Sequence, residues 1–392
     1  MNSGIPSHLA IAFLLCLPVA AQTAGQPLPA WTPGTLDIHQ INTGKGNSAL
    51  FILPDGTSLL IDAGDGGHKP PRGTAPKPDG TRPAGEWIAR YARHMLSHDA
   101  SPAIDYAYLT HFHDDHMGGI IDVARHIPFR ALLDRGWPSY DYPAPAPGLK
   151  PYRDFTQSQA AAGVKVQRLL PGRADQIVLK RAPRDYPNFE IRNIAANGEI
   201  WTGVGANTRQ HFPPIADLPR DSHPSENMCS MAIRVSYGKF DFFTGGDMPG
   251  ARPEGVPIWN DVETPVAQVV GPVEAMILNH HGNRDSTNAS LLGALRPQVF
   301  LISVWTSNHP GEDVWARLNS TRIYPGPRDI FATNMLEANR MVIGDSLNKL
   351  KSAQGHIVLR VAPGGGSFRV IVLEDSDESF RVKAIHGPYQ SR

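Results

Sequence analysis

A cluster of histidine and aspartate residues directly after a predicted strand constrains this chain more than any other feature. The cluster reads His111-Phe112-His113-Asp114-Asp115-His116 and follows the apolar run Ile104–Leu109. Imidazole and carboxylate groups are the ligands that suit zinc and similar divalent cations. A loop that leaves a strand end can bring alternate side chains to one point, so the sequence predicts a metal site there. A solvated histidine-rich turn is the alternative interpretation.

The composition argues against a general nucleic-acid coat protein and against wholesale disorder. The 392 residues include 37 Lys and Arg and 37 Asp and Glu, so the formal net charge is zero. Such a chain lacks the overall positive charge of a coat protein, although a local basic groove stays open. With 41% hydrophobic residues, 37 Gly and 36 Pro, and no collagen period, the sequence indicates a loop-rich globular protein.

The first residues predict export. The apolar run Leu9–Ala21 is too short to span a bilayer and is typical of the core of a secretory signal peptide. No Lys or Arg precedes it, so an uncleaved anchor and a buried apolar start are the alternatives. We expect a signal peptide over residues 1–21 and a periplasmic or secreted protein without stable membrane insertion after cleavage. Cys16 would be removed, and Cys229 alone cannot form an internal disulfide.

The rest of the chain is predicted to be one domain. Residues 22–34 are rich in Pro and Gly and predict a linker, and residues 35–392 predict a hydrolase domain. Strand-like and helix-like segments alternate along this domain, and two stretches resemble meanders. This pattern favours sheets covered by helices.

The histidine cluster resembles the H-x-H-x-D-H element of the metallo-β-lactamase superfamily of metal-dependent hydrolases. Three other segments resemble family motifs in the same order: Leu59–Gly64, a strand ending in Asp-x-Gly; Phe242–Asp247, a strand leading to a bridging carboxylate; and Met276–Gly282, a strand leading to the last histidine. The resemblance implies an α/β fold, the αββα sandwich of the metallo-β-lactamase type, with a metal site at one edge.

Within the superfamily, the likeness is greatest to the soluble metallo-β-lactamase domain of ComEC-type DNA-uptake proteins. Gly44-Lys45-Gly46-Asn47 stands where those relatives have G-x-G-D, and Asn308-His309-Pro310 resembles their G-H-P. The pair His280-His281 before Gly282 is the third shared feature. The likeness covers most of residues 36–325.

The resemblance also implies a set of site residues. The implied metal ligands are His111, His113, Asp115, His116, Asp247 and His280. The implied catalytic residues are Asp115, His281 and His309. One or two divalent cations would bind, zinc first and manganese as the alternative, with Asp247 bridging them. Asp62 would orient a ligand imidazole.

Several of these assignments have alternatives. Many superfamily members supply a third histidine just before the strand that leads to the bridging Asp, but residues 225–230 contain none. His223, Cys229 or no residue would complete the first half-site, and a lone Cys at a strand start is more often a buried apolar residue. His280 is preferred to His281 because it comes first after the strand. His309 could instead start a helix.

The predicted function is hydrolysis by a metal-activated hydroxide. The expected substrate is a small-molecule or oligonucleotide phosphodiester. The alternatives are a lactone or other ester, a β-lactam, and a non-catalytic metal-binding module. Arg284 could pair with an anionic oxygen or be a solvated charge. The cations between Lys69 and Arg82 could follow a phosphate chain or be solvated, and the aromatic residues of 136–155 could stack on bases or cap the core.

Overall fold

The computed structural model describes residues 23–67, 70–143, 148–250 and 254–392. The predicted signal peptide lies outside these ranges, as does Lys69 of the predicted basic loop. Among the described residues, no helix combines the length and apolar character that a membrane crossing requires.

Within the described residues, two sheets form the centre of the molecule. The first has nine strands in the order β17-β16-β15-β1-β2-β3-β4-β5-β6. Its strands are β1 Leu36–Gln40, β2 Ala49–Ile52, β3 Ser58–Ile61, β4 Tyr106–Tyr108, β5 Ala131–Asp134, β6 Lys165–Arg168, β15 His356–Val361, β16 Ser367–Leu373 and β17 Val382–Gln390. The second has eight strands in the order β14-β13-β12-β11-β10-β7-β8-β9. Its strands are β7 Phe189–Ala196, β8 Glu199–Trp201, β9 Thr208–Gln210, β10 Ala232–Tyr237, β11 Phe240–Thr244, β12 Ala275–Ile277, β13 Val299–Ile302 and β14 Asp329–Ala332.

The sheets pack face to face, and helices cover their outer faces. One apolar cluster joins residues of both sheets, such as Phe51 of β2 and Phe242 of β11, whose ring centroids lie 5.6 Å apart. The helices are α1 Ala84–Met95, α2 Asp114–Met117, α3 Ile120–His126, α4 Lys150–Ala161, α5 Glu263–Val270, α6 Ala289–Leu295, α7 Glu312–Leu318 and α8 Glu337–Ile343. Helices α1 and α3 cover the first sheet, and α5, α6 and α7 cover the second. The predicted αββα sandwich is confirmed.

The sequence explains why these elements form. Strands β2 and β13 are continuous apolar runs, as expected of strands that are covered on both faces. Helix α1 buries Ile88, Tyr91, Ala92 and Met95, a spacing that places them on one face. Its first turn carries an acidic residue and its last turn basic ones, which suits the helix dipole.

The strand directions determine where a site can form. Strands β3 to β6 are parallel to one another, and so are β11 to β14. The carboxyl ends of parallel strands meet at one edge of a sheet, where ligands bind in open α/β sheets. Each sheet of this sandwich therefore offers one loop-bearing edge to a common site.

The predicted linker is packed against the domain in the part that the structure describes. The Gly25 amide bonds to the Val382 carbonyl, Pro27 pairs with Arg381, and Trp31 is 8% exposed. The segment contains an indole that the core buries, so its Pro and Gly content does not make it a free spacer. The sequence analysis also did not predict α4, which begins inside the aromatic-rich segment 136–155.

Candidate metal centre

The predicted site residues follow the carboxyl ends of five strands. Asp62 follows β3 and the His111–His116 cluster follows β4, both in the first sheet. In the second sheet, Asp247 follows β11, the pair His280-His281 follows β12, and His309 follows β13. The two sheets thus bring the sequence-predicted residues to one edge of the sandwich.

Four of these residues converge in the described structure. Ligand atoms of Asp115, His116, Asp247 and His281 all lie within 4.8 Å of one another. His116 Nε2 lies 3.1 Å from Asp247 Oδ1 and 3.2 Å from His281 Nε2. His281 Nε2 lies 3.0 Å from Asp115 Oδ2. Two carboxylates and two imidazoles at this spacing are a donor set that fits a divalent cation such as zinc.

The loops place His281, and not His280, in this group. Both residues have left-handed backbone angles, with φ of 47° and 53°, which is uncommon for residues other than Gly. The His281 side chain is 3% exposed and turns inward, whereas that of His280 is 17% exposed and lies beside Asp285. The sequence analysis preferred His280 as the ligand because it comes first after the strand. The order of the residues along the chain does not reveal how the backbone turns at this pair.

The other predicted ligands lie next to the four-residue group. His111 Nε2 lies 3.1 Å from His113 Nδ1 and 3.8 Å from Asp247 Oδ2. His280 Nε2 lies 3.7 Å from the same oxygen. Asp247 Oδ2 therefore faces His111, His280 and His281, the last also at 3.7 Å, whereas its Oδ1 faces His116.

Asp62 anchors the loop that carries the ligands. Its φ is 58°, and its side chain is fully buried. The carboxylate accepts from the Thr110 amide at 2.8 Å and from Asn47 Nδ2 at 2.9 Å. It lies 2.7 Å from His116 Nδ1, so this nitrogen carries the proton and Nε2 faces the site.

The buried carboxylates and imidazoles of the site shift one another's pKa values. Burial opposes ionisation of Asp247, but His116 and His281 hold the pKa of this carboxyl well below its usual range. Burial also opposes protonation of His116, but Asp247, Asp115 and Asp62 raise its pKa well above the ordinary value. Burial and the charge of His116 keep the pKa of His111 well below its usual range, so this imidazole is neutral.

His309 and Trp305 pack beside His281. The His309 ring stacks on His281 with centroids 4.5 Å apart, and it is 2% exposed. Burial lowers the pKa of His309 well below its usual range, so its neutral ring is not a strong proton donor. Trp305 Nε1 lies 3.4 Å from His281 Nε2. Sequence reasoning did not identify Trp305, although it lies on the same segment as Asn308-His309-Pro310.

Two further residues that the sequence analysis missed hold the ligand loop. Glu226 Oε1 accepts from the Phe112 amide at 2.8 Å and from Arg135 Nε at 2.7 Å. Arg135 is 2% exposed and its guanidinium lies 4.5 Å from the Phe112 ring. Arg135 follows β5 at the same sheet edge as the cluster, and this position was the signal that could have found it.

The structure also places Cys229 and the basic loop, for which the sequence analysis left alternative interpretations. Cys229 is fully buried in the apolar cluster under the second sheet, and burial raises the pKa of its thiol to about 12. Arg82 of the basic loop forms an ion pair with Glu86. Thr74 of the same loop bonds to the carbonyl groups of Gly44 and Trp305, so the described part of this loop is fixed beside the site.

Comparisons with known proteins give partial matches. No protein-family model matches the chain. The lactamase-like protein vrtG of Penicillium aethiopicum is 30% identical over 167 residues, 42% of this chain and 44% of that protein. The fold is the metallo-β-lactamase sandwich. The thioesterase pkgB of Emericella nidulans is 29% identical over 98 residues, 25% of this chain and 22% of that protein. The chain therefore matches less than half the length of these curated relatives, and its likeness to ComEC-type domains stays a prediction.

Solved structures with this sandwich resemble the chain only distantly. The diiron β-hydroxylase CmlA of Streptomyces venezuelae is 13% identical with a TM-score of 0.40, over 84% of this chain and 55% of that one. A putative metal-dependent hydrolase of Parabacteroides distasonis is 14% identical with a TM-score of 0.37, over 76% and 92%. The strand order and the layers of the present structure, rather than these scores, define its fold.

Proposed function

We propose that this chain is a metal-dependent hydrolase of the metallo-β-lactamase superfamily that cleaves an ester bond. The convergence of Asp115, His116, Asp247 and His281 within 4.8 Å carries the proposal. Bound there, a divalent cation would supply a hydroxide nucleophile near neutral pH and polarise the scissile oxygen. The residues that would hold one or two such cations are His111, His113, Asp115, His116, Asp247 and His281.

The chain's own residues would prepare this chemistry. Asp62 holds a proton on His116 Nδ1 and thereby directs Nε2 toward the site. Asp247 faces His116 with Oδ1 and both His111 and His281 with Oδ2, and Asp115 lies 3.0 Å from His281 Nε2. Trp305 directs its indole N–H toward His281 Nε2 at 3.4 Å. His309, neutral and stacked on His281, restricts the movement of that ring.

Two ester classes are candidates. A phosphodiester is supported by Arg284, which is exposed beside the His280-His281 turn and takes part in none of the ion pairs found among the described residues. A guanidinium in this position can pair with an anionic oxygen. A carboxylic ester or thioester is supported by the match to a named thioesterase.

The test compares two adjacent carboxylates of α2. The protein is loaded with zinc or manganese and assayed with bis(p-nitrophenyl) phosphate, with p-nitrophenyl acetate and with an acyl thioester. Asp115→Ala should reduce turnover by more than about 100-fold, since it removes a ligand. Asp114→Ala, in the same turn but exposed, should stay within a few-fold of the wild type. Equal rates in the wild type and Asp115→Ala for all three substrates would overturn the proposal.

Export belongs to the same proposal and is tested separately. The apolar run Leu9–Ala21 supports it. The amino terminus of protein recovered from a periplasmic fraction should begin near residue 22. Recovery of the uncleaved chain in the cytoplasm only would contradict export without affecting the proposed chemistry.

A further inference from the structure

A buried carboxylate that the proposed function does not use contacts the loop that carries His281. Glu263 is the first residue of α5, and its side chain is fully buried. Its Oε1 accepts hydrogen bonds from Asn279 Nδ2 at 2.8 Å and from the Thr287 amide at 2.6 Å. Its Oε2 accepts from the Asn288 amide at 2.7 Å. The three donors satisfy a carboxylate that, within the described ranges, forms no ion pair.

The three donors lie at the two ends of one loop. Residues 279–288 lie between β12 and α6, and we call this segment the β12–α6 loop. Asn279 begins it, and Asn288 ends it as the residue whose side chain caps the first turn of α6. The Ser286 hydroxyl also donates to the Asn279 carbonyl at 2.7 Å. One carboxylate therefore closes the loop, and the position of His281 follows from where the two ends are held.

The same carboxylate contacts the segment that follows Asp247. The Glu263 amide donates to the Pro249 carbonyl at 3.1 Å, and a Cβ on Gly250 would collide with Glu263 Oε2. Only a residue without a side chain fits at this contact. The Gly250 amide in turn donates to the Asp285 carbonyl of the β12–α6 loop at 2.7 Å. Glu263 thus lies where the segment after Asp247 meets the β12–α6 loop.

The backbone of the β12–α6 loop needs support from outside the loop. His280, His281 and Thr287 have φ angles of 47°, 53° and 56°, which are unfavourable for residues with a Cβ and most of all for a β-branched one. A strained conformation persists only where the surrounding contacts hold it. The Thr287 amide is one of the donors to Glu263, so the carboxylate holds the loop at one of its strained residues.

A neutral side chain would be easier to bury at this position. Burial raises the pKa of the Glu263 carboxyl to about 7, which shows that its charge is unfavourable there. Gln has the same size, but its amide group has only one accepting oxygen. Its Nε2 would face an N–H donor of the loop instead of accepting from it. The arrangement therefore uses a carboxylate for its two accepting oxygens.

We infer that Glu263 is a positioning residue of the candidate metal centre. It fixes both ends of the β12–α6 loop and thereby sets His281 against the other three ligands, Asp115, His116 and Asp247. The inference rests on the metal binding of the proposed function. The hydrogen bonds of the Glu263 carboxylate in the described structure involve none of these four residues, so it acts through the loop and not as a ligand.

Zinc affinity measures this positioning. The full chain and its variants are titrated with zinc in competition with a chromophoric chelator, and the cobalt-loaded forms are compared by their visible spectra. Glu263→Gln should lower zinc affinity by about 10–100-fold, the effect typical of groups that support ligands, and should change the cobalt spectrum. Asn279→Ala removes the donor at one end of the loop and leaves the carboxylate, so it should lower zinc affinity by a smaller factor.

The matched control is Glu274, a carboxylate at the opposite end of β12. Glu274 is 3% exposed, and its Oε2 accepts from the Asp241 amide at 2.9 Å. Glu274→Gln should therefore lower stability in urea as Glu263→Gln does, but it should leave zinc affinity and the cobalt spectrum unchanged. The inference is overturned if folded Glu263→Gln binds zinc as the wild type does, or if Glu274→Gln loses as much affinity. If Glu263→Gln does not fold, unchanged affinity in Asn279→Ala overturns it.

The ring signals of His281 provide a readout that needs neither metal nor turnover. They are recorded by nuclear magnetic resonance on the metal-free chain with isotope-labelled histidine, and His281→Ala identifies them by their loss. Glu263→Gln should shift these signals, and Glu274→Gln should not. Unshifted signals in a folded Glu263→Gln variant would contradict the positioning role.

The outcome is separable from that of the proposed function. Shifted His281 signals and weaker zinc binding in Glu263→Gln, without turnover of any ester by the wild type, would refute the hydrolase and keep the positioning role. Equal turnover of an ester by the wild type and by Glu263→Gln, with equal zinc affinity, would keep the hydrolase and refute the role.

Discussion

At the scale of single residues, the backbone decides which side chain reaches the centre. The sequence shows two adjacent histidines after β12, and the imidazole of either one can bind a metal. Both have left-handed φ angles, 47° and 53°, and His281 turns inward to Asp115 whereas His280 lies beside Asp285. Such angles depend on the loop around Asn283 and Asp285 rather than on local propensity, so sequence reasoning had no basis for ordering the pair.

Asp62 permits a residue-scale test of how the ligand loop is held. Asp62→Asn keeps the size of the side chain but removes the charge that faces His116 Nδ1 at 2.7 Å. Since such partners typically contribute a factor of about 10–100 to metal affinity, zinc affinity should fall by this factor. Competition with a chromophoric chelator measures it.

The control for Asp62 lies at the opposite end of β3. Asp55 also accepts backbone hydrogen bonds, from Thr57, Arg181 and Ala182, but at the turn before the strand. Asp55→Asn should leave zinc affinity unchanged. A similar affinity loss in both variants would show that the effect is general destabilisation rather than support of His116.

At the scale of elements, the ligand loop is held by close packing against two other loops. A Cβ on Gly46 would lie 2.2 Å from the Asp115 carbonyl oxygen, and one on Gly64 would lie 2.0 Å from it. These glycines belong to the motifs Gly44–Asn47 and Leu59–Gly64. Because these positions carry no side chain, the backbone of both motifs can pack directly against the first turn of α2. That turn carries Asp115 and His116.

This packing predicts the effect of a single methyl group. Gly64→Ala should displace the backbone at Asp115, weaken zinc binding and destabilise the fold by about 1–3 kcal/mol, because an added methyl in a filled space forces the backbone to move. Gly366→Ala is the control, since a Cβ there meets nothing within 4 Å and should change stability by less than about 0.5 kcal/mol. Urea unfolding and zinc titration of both variants measure the difference. Equal behaviour of the two variants would contradict the role assigned to Gly64.

The elements were predictable where their sequence pattern is local. The segment Phe242–Asp247 was expected to contain a strand that leads to a carboxylate, and β11, Phe240–Thr244, is that strand. The strands β5, β8, β9, β14 and β17 were not predicted. Strand β17 contains Gly387 and Pro388 and mixes buried with exposed residues, so only its pairing with β16 identifies it. The site residues that follow strands were found from motifs, whereas Glu226 and Arg135 depend on contacts between distant segments.

At the scale of the whole molecule, a buried histidine links stability to pH. His356 of β15 is 5% exposed and accepts a hydrogen bond from the Asn42 amide at 3.0 Å. Burial, with a smaller effect of His39, lowers its pKa from 6.5 to about 3. The folded state thus binds fewer protons than the unfolded state between these values. The stability that neutral His356 contributes is present above about pH 6.5 and is lost as the pH falls toward 3.

The His356→Asn variant measures this contribution, because it lacks the titrating ring. From pH 7 to pH 4, the unfolding free energy of the wild type should fall by about 3 kcal/mol relative to that of the variant, at 1.36 kcal/mol per pKa unit. Urea unfolding across this range provides both values. A difference that stays constant with pH would show that His356 does not titrate on unfolding.

The position of the metal centre between the two sheets has a consequence for the life of the protein. Asp115 and His116 come from the first sheet, and Asp247 and His281 from the second. A cation bound to all four would join the halves of the sandwich as a cross-link does, and its binding would add to the free energy that opposes unfolding. We therefore expect the resistance of the protein to proteolysis to increase with the free concentration of the metal in the surrounding compartment.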